Sequence, residues 1–206
     1  MTDLFNDAFL FQSDLSGWNV TSVTFYIRTF RNARLFTSDL SSWQVGRSQS
    51  FRETFSGARL FVSDLSGWVV TRVTVFLFTF FQCESFTSDL SQWDVSSAVD
   101  VGSMFRSAVL FESDLSEWNV QHVTNFNDMF LGASSFEANL TTWNTSSLET
   151  CVNFGSGLAT DLYPPACIEI PDCPEYMAYD EALEQCTACA VNILFTLHLH
   201  PRSINT

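Results

Sequence analysis

Six copies of one hexapeptide, Ser-Asp-Leu-Ser-x-Trp with small variations, constrain this chain more than any other feature. The tryptophans that end them, Trp18, Trp43, Trp68, Trp93, Trp118 and Trp143, are all the tryptophans present, and each stands 25 residues from the next. A period of that size means stacked supersecondary units, because one such unit cannot bury its apolar residues alone and needs its neighbours to cover them.

Aligned at the period, the columns separate cleanly. Phe5, Phe30, Phe55, Phe80, Phe105 and Phe130 form one column, and Phe11, Phe36, Phe61, Phe86, Phe111 and Phe136 a second. Ala8, Ala33, Ala58, Cys83, Ala108 and Ala133 form a small-residue column between them. Leu15 and its equivalents precede the tryptophans by three residues, and Val20, Val45, Val70, Val95 and Val120 follow by two, with Thr145 ending that run. These columns are the expected core. Leu15, Trp18 and Val20 have strand-like spacing, whereas Val23, Tyr26, Phe30 and Ala33 step by three or four, which suits a short helix with one buried face. The expectation is therefore an α/β solenoid: a leucine-rich-repeat-like stack of six 25-residue strand–helix units with one parallel sheet about 25–30 Å wide. Copy two places Ser48 where an apolar residue recurs, so an irregular turn is expected there.

The fifth and sixth copies read Asp114-Leu-Ser-x-Trp118-Asn-Val120, then Val123, Asn125, Met129, Phe130, Ala133 and Phe136. This pattern resembles the BspA-like leucine-rich surface-protein repeat family over residues 3 to 153. Tyr26, Phe51 and Phe76 depart from it, standing where that family commonly has Met. The resemblance implies a cell-surface or secreted protein engaged in adhesion and protein binding.

Two segments follow from this division: a repeat region, residues 1–153, without an N-terminal cap, and a cysteine-rich tail, residues 154–206. The opening at Leu4-Phe5, halfway through a repeat, suggests a chain that begins inside a longer protein. Cys151, Cys167, Cys173, Cys186 and Cys189 lie among Pro164, Pro165, Pro171 and Pro174, a composition too poor in apolar residues to hold itself without staples. Disulfides are the leading reading, with half a zinc site or a redox pair at Cys186-x-x-Cys189 as alternatives. The tail also weakly resembles ephrin-receptor-like cysteine-rich modules. Cys83, in the alanine column, reads as an inert core residue.

The charge of −14 and the absence of lysine argue against a nucleic-acid partner. Seven of the nine arginines fall between Arg28 and Arg72, interleaved with Asp and Phe rather than gathered as a basic groove. No run of residues is long and apolar enough for a membrane span, and no secretory leader opens the chain.

Three surfaces are candidates for function. The first is the column Asp14, Asp39, Asp64, Asp89 and Asp114, with Asn139 last, which supplies either one Asx turn per repeat or a weak calcium site at Asp39, Asp64 and Asp89. The second is the exposed face of the strands, where Gln92, Asp94, Glu117, Asn119 and Gln121 are the candidate ligand contacts for a protein or glycan partner. Stacked repeats commonly bind through such a face; a merely solvated surface is the alternative. The third is a set of aromatic residues off the main columns, Phe9, Phe25, Phe78 and Phe81, which either reach solvent or pack between units. Sequons at Asn19, Asn139 and Asn144 are glycosylation candidates. No catalytic motif is present, His122, His198 and His200 lack placed partners, and no cofactor is implied. The expected function is an extracellular recognition or adhesion module, with a structural spacer as the rival and catalysis not expected.

Overall fold

The structure is a computed structural model that describes residues 1–155. The repeat period is realised as a stack of 25-residue coils in register, each lying directly on the next. Phe25, Ser50, Val75, Asp100, Asn125 and Thr150 are joined in sequence by isolated parallel bridges, each exactly one repeat apart in numbering.

The strand–helix unit does not form, and the expectation of an α/β leucine-rich solenoid is corrected: among the described residues there is no helix, and the only β pairing is that line of single bridges, which never widens into a sheet. The reason lies in where alternate backbone N–H groups go. Tyr26, Arg28, Phe30 and Asn32 donate to the carbonyls of Ser50, Arg52, Thr54 and Ser56 in the next coil, at 2.6–3.1 Å. The intervening Thr29 and Ala33 fold back onto Tyr26 and Phe30, three residues earlier. A helix needs every N–H to reach the fourth preceding carbonyl. Here half of them are committed between coils, so the three-and-four spacing of the apolar residues marks successive tight turns.

A left-handed residue punctuates this ladder every four positions. Arg28 and Asn32, Glu53 and Gly57, Phe78 and Gln82, Ser103 and Ser107, and Asp128 and Gly132 all have φ between 52° and 76°. Non-glycine residues seldom adopt this conformation, and it ends any incipient helical run. The inter-coil hydrogen bonds hold it in place.

The supposed strand likewise resolves into two reverse turns. Trp18 N–H returns to the Leu15 carbonyl and Val23 N–H to that of Val20, and the same pair of bonds recurs down the stack. Copy two keeps its turn in spite of Ser48, whose N–H donates to Val45 at 2.8 Å.

The core is the set of columns legible in the sequence. Phe30, Phe55, Phe80, Phe105 and Phe130 stack face to face with centroids 5.5–5.7 Å apart and planes within 9°. The second column stacks beside them, and inside a coil Phe80 lies 4.1 Å from Phe86. Burial of each ring stabilises the fold by about 1.5–3 kcal/mol, with about 0.5–1.5 kcal/mol more from each favourable ring pair. The ladder ends at Phe154, which meets Phe130 at 77° instead of stacking on it. At the other end Trp18 is 43% exposed, while every later tryptophan is buried.

Each of those later tryptophans also ties two coils together. The indole N–H of Trp43, Trp68, Trp93, Trp118 and Trp143 donates to the carbonyl of Leu15, Leu40, Leu65, Leu90 and Leu115 respectively, at 2.9–3.0 Å. A buried indole N–H needs an acceptor. The hexapeptide supplies one in the preceding copy.

Candidate functional site

The Ser-Asp-Leu-Ser segment sets the geometry of the outer face. The Asp14 carboxylate accepts the Ser16 N–H at 2.9 Å, an Asx turn, and also the Ser38 hydroxyl of the next coil. Ser38 in turn accepts the Leu15 N–H at 2.8 Å. The arrangement repeats at Asp39, Asp64 and Asp89, with Ser63, Ser88 and Ser113 as the bridging hydroxyls. These bonds hold the four carboxyls below the usual carboxylate range, the backbone N–H of the second following residue contributing most. Neighbouring carboxylates partly oppose this at Asp39 and Asp64. Asn139 makes the same turn without a charge, accepting the Thr141 N–H at 3.0 Å. Among the described residues no group of three or more His, Cys, Asp or Glu side chains is arranged to hold a metal.

Because Leu15, Trp18, Val20 and Val23 and their equivalents point inward, positions 17 and 19 are exposed in every repeat and positions 21 and 22 are exposed or half-buried. Gln92, Asp94, Glu117 and Asn119 are exposed there and Gln121 is half-buried, so all five candidate contacts share one face. Some of their polar capacity serves the scaffold. Asp94 accepts the Ser96 N–H and Asn119 the Gln121 N–H, closing a second line of Asx turns that includes Asn19 and Asn144. The Ser96 side chain, and then its N–H, lower the Asp94 pKa. Gln121 is paired with His122, their nitrogens 3.1 Å apart. Glu117 is left facing solvent. The sequon asparagines Asn19, Asn139 and Asn144 are all exposed.

To one side, Glu112, Asp114, Ser116, Ser135, Glu137, Ala138 and Asn139 line an open groove of about 430 Å³. Its lining includes the carboxylates of Glu112, Asp114 and Glu137 and the Asx turn in which Asp114 accepts the Ser116 N–H. It is an indentation between coils, without the convergent groups of a catalytic centre.

The off-column aromatics divide. Phe9 and Phe25 are exposed, Phe9 lying under the Arg34 guanidinium at 5.1 Å. Phe78 and Phe81 are half-buried against each other, edge to face at 5.5 Å. Cys83 is a fully buried thiol whose Sγ lies 2.9 Å from the Phe55 carbonyl, and burial pushes its pKa far up. Cys151 is buried and disulfide-bonded. Cys167, Cys173, Cys186, Cys189, His198 and His200 lie outside the described residues.

Sequence reasoning treated the arginines as one mixed group, and the column register sorts them. Arg28, Arg31, Arg52, Arg59 and Arg106 pair with Asp3, Glu53, Glu53, Glu84 and Asp128. Arg47 and Arg72 occupy one column on adjacent coils, both exposed, and neither meets a carboxylate among the described residues. Their 25-residue spacing was the available signal.

Fold and face together define a repeat protein of in-register coils with a polar outer surface. A family model described as "Mycoplasma protein of unknown function, DUF285" matches residues 1–86 and 49–157, which together span 1–157 of the 206 residues. The chain belongs to this family. The resemblance to BspA-like leucine-rich repeats is corrected accordingly: the matching family is another one, and the strand and helix on which a leucine-rich reading depends are replaced by turns. No match is found among curated proteins or among solved structures. Among the described residues, no helix is long and apolar enough to cross a membrane.

Proposed function

We propose that this protein is a non-catalytic recognition or adhesion module, working outside the cell or at its surface. It binds a protein or glycan through the face built from positions 17, 19 and 21 of the repeats. The observation that carries this reading is the division of labour within each coil. The Leu, Trp and Phe columns repeat almost without change, whereas position 17 runs Gly17, Ser42, Gly67, Gln92, Glu117 and Thr142 on a continuously exposed line. Side chains there vary without disturbing the core, which is how a stacked scaffold acquires a specific surface. The disulfide at Cys151 supports an oxidising compartment.

The rival reading is a structural spacer, favoured by the two unbroken ring columns, Phe5 to Phe130 and Phe11 to Phe136, which would stiffen the stack. Binding of the labelled chain to cells or to a glycan surface separates the two. Gln92→Arg and Asn119→Arg place bulky charge on the face without touching the core. Loss of binding by Gln92→Arg with unchanged stability supports recognition, Asn119→Arg adding a folded variant that also lacks the acceptor for the Gln121 N–H, and a chain that binds nothing with or without these changes is a spacer.

A further inference from the structure

The binding face is split in charge along the stack. In the first three coils, residues 15–27, 40–52 and 65–77 contain no Asp or Glu between the Asx-turn carboxylates Asp14, Asp39 and Asp64 that precede them and Glu53, which follows the second and pairs with Arg31 and Arg52; within these stretches Arg47 and Arg72 stand one above the other at the same repeat position. In the next three the matching stretches carry Asp94, Asp100, Glu117 and Glu149. The backbone keeps the register between the two arginines: Gln49 N–H donates to Thr24 at 2.8 Å and Thr74 N–H to Gln49 at 3.0 Å. Adjacent coils at this register lie about 4.8 Å apart. Two cationic side chains rooted on backbones so spaced repel when their guanidiniums approach, and an anion spanning them relieves the repulsion while accepting forked hydrogen bonds.

We propose that Arg47 and Arg72 form the anion-reading centre of this face, and that the ligand is a short saccharide bearing a sulfate or carboxylate group. The inference rests on the binding-face reading above and assigns its ligand class. The surroundings favour a sugar over an acidic peptide. Gln44, Gln49 and Thr71 present exposed amide and hydroxyl groups to ring hydroxyls, and Phe25 and Val69 are exposed apolar surfaces on which a sugar ring can lie. These side chains are exposed, and among the described residues there is no edge strand of the kind peptide addition requires.

The same charge split limits ligand length. At physiological salt, screening over about 8 Å lets the local arginines dominate over the distant acidic residues. A longer polyanion would run onto Asp94 and Asp100 and be repelled. Short or terminal acidic sugars are therefore preferred over extended ones. A glycan on Asn19, in the coil beside Arg47, would cover part of the site.

Calorimetric titration of the full chain with a sulfated tetrasaccharide, its desulfated counterpart, a uronate tetrasaccharide and a poly-glutamate peptide tests this. The expected result is binding of the sulfated or the uronate sugar, the comparison naming the acidic group. The neutral sugar should bind about tenfold more weakly, and R47Q/R72Q should lose a similar factor and flatten the salt dependence. R59Q, which removes an arginine paired with Glu84, should leave binding unchanged. Equal affinity for the neutral sugar, binding to the peptide alone, or full affinity in R47Q/R72Q overturns the assignment. If no saccharide binds, the assignment fails, while the broader reading still stands or falls on cell binding by the Gln92→Arg and Asn119→Arg variants.

Discussion

The hydroxyls of Tyr26 and Ser48 meet inside the core, each on a residue that is 1% exposed. They are the polar departures from two apolar columns: Phe51, Phe76, Val101 and Phe126 stand where Tyr26 does, and Val23, Val73, Ala98 and Val123 where Ser48 does. Burial drives the Tyr26 phenol far above its ordinary value, and Ser48 draws it partly back. Neither closes a hydrogen bond of ordinary geometry, so the pair is only loosely satisfied. Ser48→Val should therefore cost less than the about 1–3 kcal/mol of stranding a fully bonded phenol, Tyr26→Phe less still, and the double change less than the sum. Urea denaturation of the four proteins measures the coupling; costs that simply add would show the two hydroxyls to be independent.

The indole ties should be worth more than the rings alone. Trp93→Phe removes the donor to Leu65 and opens a void at a buried site, for an expected loss of about 2–4 kcal/mol. Trp18, half-open to solvent and without such a tie among the described residues, should lose under about 1 kcal/mol in Trp18→Phe. Equal losses at the two positions would argue against the inter-coil hydrogen bond as the cause.

Acid should loosen the stack through the Asp column. Asp14, Asp39, Asp64 and Asp89 have folded pKa values below the ordinary 3.8. Their ionised forms therefore favour the folded state above that pH, and the contribution disappears as pH falls through the lowered values. Asp64→Asn retains the acceptor for Ser66, as Asn139 does for Thr141 in the last repeat. That variant should fold at neutral pH and show a shallower loss of stability below pH 3.8, read from thermal midpoints across the acid range. An unchanged acid profile would remove Asp64 from the linkage.

Two glycines at equivalent positions should respond differently. Gly57 and Gly132 both have positive φ, at 74° and 76°. A Cβ on Gly57 would collide with the Asn32 side-chain oxygen, whereas one on Gly132 meets nothing closer than 3.5 Å. Gly132→Ala should cost about 1 kcal/mol in backbone strain alone, and Gly57→Ala more, because Asn32 is also bonded to Asp7 and must move. Differential scanning calorimetry ranks them; a smaller cost at Gly57 would show that Asn32 yields freely.

Much of the candidate face was legible in advance, because Leu15, Trp18 and Val20 turn inward at fixed intervals and leave Gln92, Glu117 and Asn119 outside whether the backbone between them is strand or turn. The backbone itself was not legible. Val23, Tyr26, Phe30 and Ala33 have the spacing of a helix, and the contrary signal was the column Asp7, Asn32, Gly57, Gln82, Ser107 and Gly132, mostly small and polar residues suited to left-handed turns. Arg47 and Arg72 were hidden for a related reason: adjacency along the chain mixes them with paired arginines, and adjacency across coils separates them.

The sequence by itself determined the 25-residue period, the identity of the buried columns and the Asx turn opening each copy, since all of these follow from which residues recur and how apolar they are. Only the tertiary structure decided that Tyr26 to Ala33 become a ladder of turns. The N–H groups of Tyr26, Arg28, Phe30 and Asn32 find their acceptors 24 residues away, and no local propensity carries information about a partner that exists only once the next coil is in place.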